Sequence, residues 1–139
     1  MIYLDTNVII SFMDERDINH SLAVKLFETL KVDRVVSRLV LLELASVYSR
    51  VGFEDPIALA IYSIDRVGAR IMELDYSILM SRALVYAPQL RLKTLDLLHV
   101  LACSIMGADS IATFDRDIIS RSSIIRNTLG IDVIGYNDL

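Results

Sequence analysis

Four acidic residues interrupt an otherwise apolar chain where its local pattern changes: Asp5 in Tyr3-Leu4-Asp5-Thr6-Asn7, Glu43 in Leu41-Leu42-Glu43-Leu44-Ala45, Asp96 in Thr94-Leu95-Asp96-Leu97-Leu98, and Asp115 in Thr113-Phe114-Asp115-Arg116-Asp117. Brought together, they would form a carboxylate cluster. At an effective dielectric of about 20, two carboxylates about 4 Å apart repel by roughly 4 kcal/mol, so such a cluster must take up protons or hold a cation. Oxygen-only ligands favour Mg2+ or Mn2+ over zinc. A site of that kind can bridge phosphate oxygens, activate water and stabilise a leaving alkoxide. That is phosphodiester hydrolysis without a protein nucleophile.

The elements that must position these acids are legible in the periodicity. Short β-branched runs alternate with longer segments of helical spacing, the pattern of a βαβ series on a parallel sheet, hence an α/β fold. Strands are expected at Ile2 to Leu4, Arg34 to Ser37, Arg70 to Glu73, Ser110 to Thr113 and Asp132 to Ile134. Leu22, Leu26 and Leu30, with Ala23 and Phe27, mark one stripe of a helix from Ser21 to Leu30, with Asn19 available as its cap. Asp55-Pro56 supplies a cap and first-turn proline for a helix to Val67, and another runs from Leu95 to Met106. Gly52, Gly68 and Gly107 each follow an apolar run, where a left-handed residue is wanted. In such sheets ligands bind beyond the carboxyl ends of the strands, where Asp5 and Asp115 fall. Asp96 belongs to the first turn of its helix, and Glu43 lies inside the helix that follows the second strand.

Composition narrows the class. The 139 residues, 54% of them hydrophobic, suffice for one core, and no linker, repeat or low-complexity run divides residues 1–139, so one domain is expected. Lys plus Arg number 14 against 18 Asp plus Glu, a formal charge of -4, so no molecule-wide positive field draws in nucleic acid. Phosphate binding must be local. Arg38, Arg82, Arg91, Lys93 and Arg116 stand close in sequence to the acids or to the Asp96 helix and are candidate phosphate contacts. The single cysteine, Cys103, has no partner for a disulfide or zinc site, which suits a reducing, cytoplasmic setting. The amino terminus lacks the basic lead of a signal peptide, and charged residues break every apolar run before membrane-spanning length. The mean hydropathy of +0.50 exceeds what a small monomer comfortably buries.

Each candidate also has a plain structural explanation. Asp5 can cap a helix starting near Thr6, Asp96 can be a first-turn acid favoured by the helix dipole, and Asp115 with Asp117 can open a turn. Glu43 is harder to dismiss, because Leu39, Val40 and Val47 surround it at helical spacing, although a solvent stripe of Glu43, Ser46 and Arg50 would serve. His99, one turn after Asp96, fits a hydrogen-bonded core residue better than a metal ligand. His20 has no assigned role. Tyr76 and Tyr86 fit the rim of the core better than a base-stacking platform.

Leu4-Asp5-Thr6-Asn7-Val8-Ile9, Ser37 with Glu43-Leu44-Ala45, Asp96-Leu97-Leu98-His99-Val100, and Gly107-Ala108-Asp109 leading into Ala112-Thr113-Phe114-Asp115-Arg116-Asp117 resemble, in content and order, the PIN-domain nucleases. A single short domain is most similar to a VapC-type toxin ribonuclease of a toxin-antitoxin pair. The resemblance implies a three-layer α/β/α sandwich around a mostly parallel sheet of four to five strands. It implies Mg2+ or Mn2+ at the site, endonucleolytic cleavage of RNA, a homodimer and a protein antitoxin. Asp5, Glu43, Asp96 and Asp115 match the family's four acids, as catalytic residues and metal ligands, led in the latter role by Asp5 and Asp96. Asp117 is an auxiliary acid, and Asn7 and Thr113 match polar positions that orient carboxylates. Three other readings compete: a phosphohydrolase of the haloacid dehalogenase type, a non-catalytic PIN-like module that binds RNA or protein, and a PIN-type RNA-processing nuclease outside any toxin-antitoxin pair. The first wants a second aspartate two residues after Asp5, where this chain has Asn7.

Overall fold

A computed structural model describes residues 1–139. Five three-residue strands, β1 (Ile2–Leu4), β2 (Arg34–Val36), β3 (Ala69–Ile71), β4 (Ser110–Ala112) and β5 (Asp132–Ile134), form one sheet in the order β3-β2-β1-β4-β5. Every neighbouring pair is parallel. The central β1 is buried throughout, and its unbroken apolar run is what a strand covered on both faces requires. The edge strand β3 is largely exposed.

The crossovers are helices. They are α1 (Thr6–Met13), α2 (His20–Thr29), α3 (Arg38–Val51), α4 (Pro56–Arg66), α5 (Tyr76–Leu90), α6 (Thr94–Ile105), α7 (Arg116–Ser120) and α8 (Ser122–Leu129), with a final 3-10 turn at Tyr136–Asp138. The fold is the α/β arrangement expected, a parallel sheet flanked by helices, and its strand count is five. No helix is long and apolar enough to cross a membrane.

Strand β3 runs Ala69–Ile71 rather than Arg70 to Glu73; at two other strand ends that differ from the sequence reading, a side chain gives the reason. Strand β2 stops one residue early because Ser37 becomes the N-cap of α3, its hydroxyl accepting from the Leu39 amide. Strand β4 stops before Thr113, whose hydroxyl joins a polar network at the strand end. Asn19 does occupy the N-cap of α2, yet its side chain makes no capping bond. Gly52, Gly68 and Gly107 all adopt positive φ, as the pattern required. The guanidinium of Arg34 donates to the carbonyls of Phe27, Leu30 and Val67, fastening the ends of α2 and α4 to β2.

Strand order decides where the site lies. From β1 the chain winds outward to β2 and β3, then returns to the other side of β1 to lay down β4 and β5. The direction of winding therefore reverses between β1 and β4. At such a switch point the two following segments diverge and leave a crevice beyond the strand ends. Asp5 follows β1 directly, and Asp115 stands three residues beyond β4.

Candidate metal centre

Asp5 is the most enclosed of the acids, 4% exposed. Its amide continues the β1–β4 ladder by donating to Ala112, 3.0 Å away. Its carboxylate caps α1 through the Thr6 amide at 2.8 Å. The other oxygen accepts from the Thr113 hydroxyl at 2.7 Å and the Asn7 side-chain amide at 3.0 Å. Asn7 and Thr113 are themselves fixed: Asn7 accepts from the Phe114 amide, and Thr113 accepts from the Asp115 amide, each at 3.0 Å. This lattice ties the end of β1 to the end of β4. Burial nevertheless raises the Asp5 pKa, against the pull of His99 and Thr113.

Glu43 reaches the same crevice from α3. One oxygen accepts from the Thr6 hydroxyl at 2.6 Å and from His99 Nε2 at 2.8 Å. Burial alone would raise its pKa, but these bonds outweigh burial and hold it below the ordinary range. An ionised Glu43 that already accepts from Thr6 requires the proton to sit on His99 Nε2. The opposite ring nitrogen, Nδ1, lies 2.8 Å from the Tyr3 hydroxyl, itself 2.8 Å from the Ser37 hydroxyl. His99 is thus core, 1% exposed, and the core side of the acid site. Burial works against protonating the ring, yet the bond to Glu43 and the nearby Asp5 raise its pKa overall. Donor atoms of Asp5, Glu43 and His99 all lie within 4.8 Å of one another. The imidazole serves there as a donor, because a ligating nitrogen must present a lone pair and Nε2 carries a proton.

Asp96, Asp115 and Asp117 form a second group, their carboxylate oxygens also within 4.8 Å of one another. Here helix geometry supplies the acids. Asp96 sits in the first turn of α6, and Asp115 is the N-cap of α7, accepting from the Asp117 and Ile118 amides at 2.8 and 3.1 Å. Asp5 does cap α1, as its plain reading had it, whereas Asp115, read as opening a turn with Asp117, is instead a helix cap. Burial, then the charges of Asp115 and Asp5, push the Asp96 carboxyl up to about 6. Lys93 approaches Asp117 to 3.5 Å, an exposed pair of little electrostatic weight.

The four sequence-predicted acids are thus divided in two: Asp5 pairs with Glu43, and Asp96 with Asp115. The halves adjoin, since Asp5 contributes to the Asp96 shift and Asp96 to that of His99. Among the candidate cations, Arg38 is bound to Glu73 at 2.9 Å, Arg82 and Arg91 are exposed, and Arg116 lines a cavity beside Asp115. Tyr76 and Tyr86 are half-buried against the core. Sequence reasoning missed the Thr6 hydroxyl and the contact of His99 with Glu43. It also left Arg50 as a solvent residue, although Arg50 lines a cavity with Glu43 and acts on its charge. Spacing carried the signal, since Arg50 follows Glu43 by two helical turns.

The PIN domain family matches residues 2–123. The chain belongs to the PIN-domain family. Among solved structures, this PIN domain resembles VapC20 of Mycobacterium tuberculosis, described as a sarcin-ricin loop cleaving toxin, at 18% identity and a TM-score of 0.70 over 86% of this chain and 94% of that one. It resembles VapBC2 of Rickettsia felis, solved bound to a promoter DNA fragment, at 15% identity and a TM-score of 0.65, covering 97% and 98% of the two chains. VapBC-1 of nontypeable Haemophilus influenzae follows at 18% identity and a TM-score of 0.65, with 99% of each chain covered. No curated protein matches by sequence. At these identities the likeness shows the shared fold. The donor set of this PIN domain fits a hard divalent cation, being rich in carboxylate oxygen and short of balancing positive charge.

Proposed function

We propose that residues 1–139 form a single PIN domain acting as a metal-dependent endoribonuclease, the toxin of a toxin-antitoxin pair. One observation carries this reading: two adjoining groups of acids lie beyond the ends of β1 and β4, and burial together with the neighbouring carboxylates raises Asp96 to about 6. Asp5, Glu43, Asp96 and Asp115 would hold Mg2+ or Mn2+, with Asp117 as an auxiliary acid. When bound, the ion supplies an activated water and neutralises charge on the phosphate. The chain's own residues do the positioning. Thr113 and Asn7 fix the Asp5 carboxylate, Thr6 and His99 fix Glu43, and Lys93, Arg116 and Arg50 flank the acids where an RNA backbone would pass. Arg38, bound to Glu73, and the exposed Arg91 are further candidates for the same contact.

The relatives solved as VapBC assemblies support a protein partner. A groove lined by Ile10, Met13, Val47, Val51, Phe53 and Leu59 suits an apolar antitoxin helix. Ile78, Met80, Leu84 and Val85 of α5 remain exposed and would suit a homodimer face. A cytoplasmic setting suits the lone thiol of Cys103.

The test is cleavage of an unstructured RNA with Mg2+ or Mn2+, repeated with a chelator and with Asp96→Asn. Metal-dependent products that disappear in both controls support the reading. RNA binding without cleavage would point to a non-catalytic module, and phosphate release from small phosphoesters to a phosphohydrolase.

A further inference from the structure

A cavity of about 450 Å³ opens beside the acids, and only two of its nine lining residues are apolar. Its size is that of a small-ligand pocket. Asp115 and Asp117 belong to both cavity and acid cluster, so an occupant abuts whatever the acids hold. Most polar groups in its wall are already engaged. Asn7 uses its amide nitrogen on Asp5 and Thr113 and its oxygen on Phe114. Asp115 caps α7.

Four groups are left. Ser11 is 3% exposed, and its hydroxyl makes no hydrogen bond within the chain although the residue lines the cavity. Asn19 stands at the N-cap of α2 with its side-chain amide uncommitted, where such a residue ordinarily caps. Asp17 accepts from the Asn19 backbone amide on one oxygen and leaves the other free. Arg116 is exposed and paired with no carboxylate. A second cavity shares Asn19, Phe114 and Arg116 with the first and continues away from the acids to Ile18, which is 92% exposed, and Tyr136.

We propose that this cavity is a base-reading subsite that holds one guanine of single-stranded RNA beside the scissile phosphate. The inference rests on the nuclease reading above and names what the same site recognises. Single-stranded RNA is read by splaying bases into pockets and hydrogen-bonding their edges. Guanine presents two adjacent donors, N1–H and N2–H, to a carboxylate, and its O6 and N7 to donors. Asp17 supplies the acceptor, while Asn19 and Ser11 supply donors. Adenine would turn its N1 lone pair toward the Asp17 carboxylate, and uracil would keep one donor, N3–H, but set a carbonyl oxygen where guanine has N2–H. Arg116 is placed for the neighbouring phosphate, and Ile18 with Tyr136 offers apolar surface for the next base.

The test uses the full chain carrying Asp96→Asn to silence cleavage, in Mn2+, and reads fluorescence anisotropy with short oligouridine RNAs. A single guanine, adenine or cytosine is placed at each position in turn. One guanine register should bind about 10-fold more tightly than the all-uridine RNA, within the discrimination of a two-point base contact. Adding Asp17→Asn or Asn19→Ala should reduce that preference to under about 2-fold, with melting temperatures confirming that each variant is folded. Equal affinity for all bases, or a preference untouched by both substitutions, would overturn the subsite. In parallel, cut ends from a random RNA pool treated with the unsubstituted protein should be enriched in guanine. Base-selective binding without any cleavage would sink the nuclease reading and keep the subsite, whereas cleavage with flat base preference would do the reverse.

Discussion

The two halves of the acid site are built oppositely. On the Asp5 and Glu43 side, hydroxyls, an amide and an imidazole converge on the carboxylates, and behind them Tyr3 and Ser37 continue the chain of bonds into the core. On the Asp96, Asp115 and Asp117 side, the only donors are the α7 cap amides and a loosely placed Lys93. The braced half is held by hydrogen bonds from within the chain; the bare half holds like charges together because the helix ends place them there. A carboxylate held by several donors is a rigid part of the fold, whereas a crowded one with few donors is poised for a cation.

Breaking the bare half should separate activity from stability most sharply. Asp96→Asn is expected to reduce RNA cleavage to background while making the metal-free protein more resistant to urea, because it removes a charge that its neighbours oppose. If the variant instead proves less stable than the parent, the two halves are not opposites. Breaking the braced half should act the other way. His99→Phe removes one of the two partners of Glu43 and one of the two of the buried Tyr3 hydroxyl, and should lower unfolding free energy by about 3 kcal/mol in urea melts.

A cation should stabilise through the bare half. At 100 times its dissociation constant, Mn2+ would add about 2.7 kcal/mol, visible as a raised melting temperature that is absent in Asp96→Asn. The pH dependence carries a definite sign. Folding favours the protonated form of Asp96, so its stabilising contribution is complete below the ordinary carboxyl range near pH 4 and is lost as pH rises through about 6. In metal-free melts, the parent should therefore gain stability relative to Asp96→Asn on going from pH 7 to pH 4.5. The Mn2+ effect should shrink over the same interval, as protons compete with the ion. Lys93→Ala should have the smallest effect, changing stability by less than about 1 kcal/mol, while flattening the salt dependence of RNA binding by about one charge.

The contrast also explains which parts were legible in advance. Apolar periodicity and glycine punctuation located all five strands and the α2, α4 and α6 segments, because burial on a sheet or helix face is repeated at fixed spacing. Two strand ends fell one residue short of the expected bounds, at Ser37 and Thr113, whose hydroxyls enter side-chain bonds. The acids stood out because a charge in an apolar run needs a reason. Their partners did not. Thr6 and Tyr3 look like ordinary helix and strand residues, and His99 reads as core, which is correct and omits its contact with Glu43 across 56 positions of sequence.

The sequence by itself determined the residue types capable of the chemistry, the elements carrying them and the family, because these depend on local order and spacing. Only the tertiary structure decided that β1 and β4 lie side by side, that the acids fall into a braced half and a bare half, and that Ser11, Asp17 and Asn19 face one cavity. Those facts come from strand order and long-range hydrogen bonds. Neither leaves a periodic trace along the chain.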